Sequence, residues 1–230
     1  TLYGAPMHSA PVLVNYTSTR RAADNKNVPL NVDDQDNLVF VSTNDGKLYA
    51  VDAETGSEKF TFMPRVFLER EVADQLSVAE SLHQAARSDA PGAFIYGLDS
   101  TWTVWRQDVN RDGNITDGSS NDFVHLFGGM RRGGRNYYGL DVTDALDGNM
   151  EQLFVMEGGE SGTELENLGQ TWSEPVLALI KYNGVSQVVM VVGGGYDPLY
   201  DTSRPDTGDE PQGNALYLVK AYGNDAGDVL

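Results

Sequence analysis

The stretch DVNRDGNITD at residues 108–117 places Asp108, Asn110 and Asp112 at alternate positions, with Gly113 directly after them. Oxygen-bearing side chains at positions 1, 3 and 5 of a tight loop converge on one point, and a glycine at position 6 permits the turn that closes around a cation. At position 7, Asn114 offers its backbone carbonyl; at positions 9 and 10, Thr116 or Asp117 completes the shell, directly or through water. Many flexible oxygen ligands suit a calcium ion better than magnesium. The lack of Cys and of a nearby His argues against zinc. Position 12, a bidentate Glu in an EF-hand, is Ser119 here, and the flanks TWTVWRQ and DFVHLF read as strands, so this is no helix–loop–helix. The plainer alternative is an acidic surface hairpin that uses Asp, Asn and Gly for turn chemistry. Carboxylates crowded into one turn without a cation would repel, by about 1 kcal/mol per close hydrated pair, and that favours the calcium loop.

Other segments offer less chemistry. GGMRRGGRNYYGLDVTD (128–144) sets Arg131, Arg132 and Arg135 among Gly128, Gly129, Gly133 and Gly134. Backbone amides and guanidinium forks there could cradle an anion; the favoured reading is a tight turn whose arginines pair with neighbouring carboxylates. No helix follows, so neither this stretch nor GGG at 193–195 is a dinucleotide fingerprint. The acidic stretches VDDQDN (32–37) and DPLYDTSRPDTGDE (197–210) read as solvated loops, the second a conceivable binding surface. TNDG (43–46) reads as a type I′ hairpin turn. His8, His83 and His125 are far apart with no metal-ligand spacing, and no G-x-S-x-G nucleophile elbow occurs. Trp102, Trp105 and Trp172 read as core or inter-blade residues. Catalytic constellations are scarce, and only a Ser–His–Asp triad assembled from distant residues stays open.

The elements that must carry the loop are strands. The chain has 25 Gly and 9 Pro among short β-branched and aromatic runs, the pattern of an all-β fold. HSAPVLV (8–14) is echoed by WSEPVLAL (172–179), and each leads through apolar strands to a Leu-Tyr-x-Val-x-Ala segment and a further strand. Between them TWTVWRQDV, DFVHLFGG, NYYGLDV and EQLFVM form a third unit, and IYGLD (95–99) looks like another fragment of the pattern. Units of about 40–50 residues with four short strands mark β-propeller blades. Residues 1–230 are therefore expected to hold about three four-stranded blades of a larger β-propeller, seven-bladed in one reading, with an open β-sandwich as the competing architecture. One segment departs from this: over 65–90, Leu68, Val72, Leu76, Ala79, Leu82 and Ala86 recur at helical spacing and predict a short helical insertion.

With 16 basic and 34 acidic residues the net charge is −18, which argues against phosphate-driven nucleic-acid binding. The absence of Cys rules out disulfides and thiolate metal sites. Apolar runs such as VVMVV fall far short of the roughly 20 residues that span a bilayer, so no membrane span is expected.

Taken together, HSAPVLV, NDGKLYAVDAETGSE, DVNRDG, RRGGRNYYGLDVTD, LGQTWSEPVL, GGGYD and NALYLVKA run in an order that resembles the C-terminal propeller of the PilY-type adhesins of bacterial type IV pili. The resemblance implies a non-enzymatic protein at the pilus tip or outer-membrane surface. It would prime pilus assembly, resist retraction and support surface attachment and twitching motility. It also implies pilus components, minor pilins at the tip, as partners, and a host or abiotic surface engaged through a domain not found here. The family's calcium loop maps onto Asp108, Asn110, Asp112 and Asn114; its last acidic ligand falls at Thr116, with Asp117 one place later. The rival is a fragment of a pyrroloquinoline-quinone-dependent dehydrogenase-like propeller, whose repeat LYAVDAETGSE also resembles; such enzymes often stack the quinone on adjacent cysteines, which this chain lacks.

Overall fold

The computed structural model describes residues 4–21, 26–69, 96–115, 121–201 and 212–230. Strands β1 (Val12–Thr17), β4 (Asp36–Thr43), β5 (Lys47–Asp52) and β6 (Glu58–Phe62) form one antiparallel sheet in the order β1-β4-β5-β6. A two-stranded ribbon, β2 (Thr19–Arg21) and β3 (Asn27–Pro29), is inserted between its first two strands. The second sheet runs β7 (Trp102–Gln107), β8 (Phe123–Gly128), β9 (Tyr137–Asp141) and β10 (Glu151–Met156), each strand hydrogen-bonded to the next. The third contains β11 (Val176–Tyr182), β12 (Val185–Gly193) and β13 (Leu216–Lys220). Residues 228–230 return alongside β13, where Lys220 donates to Asp228 and Leu230 to Leu218 through backbone bonds of 2.9 Å. Each sheet is a simple meander, the topology of a propeller blade, so the all-β propeller expectation holds.

The middle blade shows why its strands read as almost unbroken apolar runs. All six residues of β8 are buried, and a strand covered on both faces loses the alternation of a half-buried one. Val124 and Leu126 point into a core shared with the first sheet, beside Tyr16, Leu38, Phe40 and Leu48. Phe127 points the other way, into a core shared with Met190, Val192 and Val219 of the third sheet. In β9, Tyr138 and Leu140 join the first core and Tyr137 the second. The outer faces of the first and third sheets keep apolar residues in the open: Leu13 is 65% exposed, Val176 60% and Leu216 66%.

Several local expectations change. Thr43 pairs with Lys47, so residues 44–46 form a three-residue loop with only Gly46 left-handed, at φ 86°, rather than a type I′ turn. The two-residue hairpin with both φ values positive lies at Asn183 and Gly184 (48° and 85°), where Tyr182 pairs with Val185. Residues 96–99 of the IYGLD stretch form no strand. They pack instead against the 44–46 turn, where Gly97 N–H donates to Asn44 Oδ1 at 2.9 Å, and Asp99 Oδ1 accepts from His8 N–H at 3.0 Å. Trp102 is core at 2% exposure and Trp105 packs between the second and third sheets, but Trp172 is 37% exposed on a loop. Its ring is held there by arginines rather than by core residues. The helical insertion expected over 65–90 opens with a 3-10 turn at Arg65–Phe67, and residues 70–95 lie outside the described residues. Among the described residues no helix is long and apolar enough to cross a membrane.

Strand directions sort the loops into two ends. First strands, second-to-third turns and fourth-strand exits meet at one end, which carries residues 96–101, 129–136 and 194–201. The opposite end carries the first-to-second and third-to-fourth connections: the β2–β3 ribbon, the 108–115 loop and residues 142–150.

Candidate metal centre

The loop after β7 is held by hydrogen bonds from its own backbone to its own side chains. Asp108 Oδ1 accepts from Asp112 N–H at 3.2 Å and its Oδ2 from Gly113 N–H at 2.9 Å. Asn110 Oδ1 also accepts from Asp112 N–H, at 2.8 Å, and Asp112 Oδ1 accepts from Asn114 N–H at 2.8 Å. The three side chains at alternate positions therefore wrap one turn, with their oxygens drawn inward by backbone amides. Gly113 makes the reversal at φ 87°, a left-handed conformation that a side chain disfavours. Beside the turn, Asn114 Oδ1 is buried with no hydrogen-bond partner. A donor set of two carboxylates, an amide oxygen and backbone carbonyls is the kind a hard cation such as calcium takes. The orphaned amide oxygen adds an acceptor that nothing among the described residues satisfies. Among the described residues no group of three or more His, Asp or Glu side chains converges to hold a metal; the loop supplies Asp108 and Asp112. Thr116 and Asp117 lie outside the described residues.

Sequence spacing gave no sign of what holds the loop in place. Its outer edge is stitched to the first sheet, more than ninety residues earlier in the chain. Asn114 bridges Thr17 in an isolated antiparallel pair, Ile115 N–H donates to Tyr16 at 2.9 Å, and Ser18 N–H donates to Gly113 at 3.0 Å. The Thr19 hydroxyl donates to the carbonyl of Asp112. Arg106 spans the junction, with Nε donating to the Asn15 carbonyl at 2.8 Å and Nη2 to the Gly113 carbonyl at 3.3 Å. Its Nη1 lies 3.7 Å from Asp108 Oδ2. At the base, the nearly buried Asp122 accepts from Val109 N–H at 2.5 Å and ties the loop's entry to the start of β8. Loop and ribbon thus share one hydrogen-bond network.

The remaining candidates sit elsewhere. His8 Nδ1 contacts Asp99 Oδ2 at 2.5 Å at the far end, and His125 Nε2 lies 3.5 Å from Asp141 Oδ2 between the second and third sheets. Burial acts to raise the Asp141 pKa, but hydrogen bonds from His125 and from the hydroxyl and N–H of Thr143 outweigh it and hold the carboxyl below its ordinary value. Burial pushes the phenols of Tyr16, Tyr137 and Tyr138 up, the last to about 12, so all three are neutral. Of the RRGGR arginines, Arg132 Nη2 comes within 3.8 Å of Asp201, while Arg131 makes no ion pair among the described residues. The Arg131 guanidinium lies over the Trp172 ring, and the acidic stretch that follows Asp201 lies outside the described residues.

Comparison with known proteins agrees with this architecture. Residues 18–221 match the family model of the PilY1 beta-propeller domain. The type IV pilus biogenesis factor PilY1 of Pseudomonas aeruginosa PAO1 is 30% identical over 167 residues, covering 71% of this chain and 12% of that protein. A PilY1 homolog from Xylella fastidiosa Temecula1 is 31% identical over 144 residues, covering 61% of the chain and 9% of its own length. The chain thus spans about an eighth or less of these relatives. The crystal structure of the Pseudomonas aeruginosa PilY1 C-terminal domain superposes with a TM-score of 0.50 at 22% identity, over 84% of this chain and 29% of that one, a likeness of fold. With its meandering blades and the family match over most of its length, the chain belongs to the PilY1 β-propeller family.

Proposed function

We propose that this propeller segment binds calcium through Asp108, Asn110, Asp112 and the Asn114 carbonyl, with Thr116 or Asp117 completing the shell, as the calcium-responsive part of a type IV pilus biogenesis factor. The observation that carries the reading is the turn itself: three oxygen-bearing side chains closed on left-handed Gly113, with the buried Asn114 Oδ1 unpartnered beside them. The curated relatives are named as type IV pilus biogenesis factors, which supports the setting. The module works by binding, not by catalysis, outside the cell at the pilus tip or outer-membrane surface.

The loop's own contacts supply a route from ion to assembly. Because Thr17, Ser18 and Thr19 hold the backbone of residues 112–114, ordering the loop also orders the ribbon that follows β1. Minor pilins, or the load of retraction, would sense that end of the sheets, and calcium would shift the balance between pilus extension and retraction. Twitching and surface attachment follow from that balance.

Calorimetric titration with calcium tests the site. The chain should bind one ion and the Asp108→Ala/Asp112→Ala double variant none; equal binding by both would reject these ligands. With free calcium at a hundred times Kd, binding to the folded state adds about 2.7 kcal/mol, a rise in Tm of roughly 5–10 °C at this size. Introduced into the full-length protein, the same double substitution should alter surface piliation and twitching; unchanged motility with calcium binding lost would separate the site from pilus control.

A further inference from the structure

At the end of the sheets away from the calcium loop, two cations share one indole. The Arg131 guanidinium lies 4.7 Å from the Trp172 ring centroid and that of Arg132 lies 5.6 Å from it. Arg132 also covers Tyr96 at 5.3 Å, and Tyr196 packs against Trp172 at 5.8 Å. The indole is fixed by Nε1–H donating to Gln170 Oε1 at 3.2 Å, and Gln170 Nε2 donates to the Arg132 carbonyl at 3.4 Å. Arg131 is held in a left-handed conformation at φ 51°, with its N–H bonded to the Thr171 carbonyl at 3.2 Å. A non-glycine residue kept there by its surroundings is a common mark of a functional position.

The two arginines differ in how they are neutralised. Asp201 stands near Arg132 and accepts from the Tyr196 hydroxyl at 2.8 Å. Arg131 has no carboxylate within ion-pair distance among the described residues, and its Nε is buried without a partner. In a chain of net charge −18, a carboxylate is the ordinary counter-ion for such a guanidinium, and Arg131 has none among the described residues. A guanidinium lying over a ring keeps in-plane N–H groups that can pair with a carboxylate; with Nε buried, that pairing falls to the two terminal Nη groups. Beside it Trp172 is 37% exposed, and Tyr200, packed through Tyr196, is 46% exposed, an apolar rim.

We propose that the Arg131–Trp172 platform is a docking site for a polypeptide segment that presents an Asp or Glu carboxylate flanked by apolar residues. The charge selects the carboxylate and the rim selects its neighbours; a free phosphate would leave the rim unused. The site is independent of the calcium reading, since it lies at the other end of the fold.

Fluorescence anisotropy with a labelled peptide of alternating Glu and Leu tests it, alongside the same peptide with Gln for Glu, inorganic phosphate as competitor, and a labelled oligothymidylate. The Glu peptide should bind at least about tenfold more tightly than the Gln peptide, the scale of one charge-assisted hydrogen bond. Arg131→Gln should erase that difference while the melting temperature and calcium binding stay as they were, and Arg132→Gln should reduce it. Should Arg131→Gln fail to fold, loss of discrimination in Arg132→Gln and in a Trp172→Leu variant serves the same purpose. Equal affinity for the two peptides, full discrimination in all three variants, displacement by phosphate at concentrations near the peptide Kd, or tighter binding of the oligothymidylate would each overturn the assignment.

Discussion

The phenol of Tyr16 donates a hydrogen bond of 2.7 Å to the carbonyl of Val142, joining the first strand of one blade to the turn after the third strand of the next. Tyr16 is fully buried, and its own backbone carbonyl accepts from Ile115 of the candidate calcium loop at 2.9 Å. One residue therefore holds both the inter-blade core and the loop.

Tyr16→Phe should cost about 1 kcal/mol, a fall in Tm of roughly 2–4 °C. The cost stays at the low end because the Val142 carbonyl keeps its bond from Ala145 N–H. Thermal melting at neutral pH measures it; no change in Tm would show that the phenol contributes only volume.

Alkaline pH should weaken the fold. Burial raises the pKa of Tyr16, Tyr137 and Tyr138 above the usual phenol value, and for Tyr16 the charges of Asp141 and Asp144 add to it. Their stabilisation is complete below the unfolded phenol pKa of about 10 and is lost as pH rises above it. Denaturant titrations between neutral pH and pH 11 should show declining stability, with a shallower decline in Tyr16→Phe.

Acid should act through Asp141. Its folded pKa is lowered, so its contribution is present above the ordinary carboxylate value of about 4 and is lost as pH falls below that. Asp141→Asn should reduce stability at neutral pH and flatten the acid limb of the Tm–pH curve. An acid limb of unchanged slope would assign the dependence to other carboxylates.

Gly113→Ala should damage loop and ribbon together. A methyl group there would sit 2.6 Å from Ser18 Oγ and 2.8 Å from Thr19 Cγ2, on a backbone at φ 87°. Left-handed strain of about 1–2 kcal/mol adds to the clash. The variant should bind calcium at least about tenfold more weakly, since 1.4 kcal/mol is a factor of ten; wild-type affinity would mean that the ion does not need this turn.

Phe127→Ala should cost about 3–5 kcal/mol. Phe127 is fully buried in the core shared by the second and third sheets and stacks on Phe154 at 6.0 Å between ring centroids. Urea unfolding gives the value, and a loss under 1 kcal/mol would show that this core repacks freely.

Much of the fold could be read directly because its cause is local. The four runs of the middle blade coincide with β7 to β10, since short apolar, aromatic and β-branched runs between turn signals act along a single strand. The alternate spacing of Asp108, Asn110 and Asp112 before Gly113 likewise carried the shape of the turn. Local reading failed where the partner decides the outcome. Residues 96–99 look like a strand fragment, but the 44–46 turn already takes up the Gly97 amide. Trp172 looks like core, but two guanidiniums occupy its face at the surface.

The residue order by itself determined an all-β meander, its division into blades and the oxygen ligands available to a cation, because these depend on neighbours a few positions apart. Tertiary structure alone decided that the loop at 108–115 rests on Tyr16 to Thr19 and that Arg131 faces Trp172 across about forty residues of chain, at the opposite end. Those pairings arise from strand direction and from side chains interlocking between sheets, and such packing is set by the whole register of the blades at once rather than by any single segment.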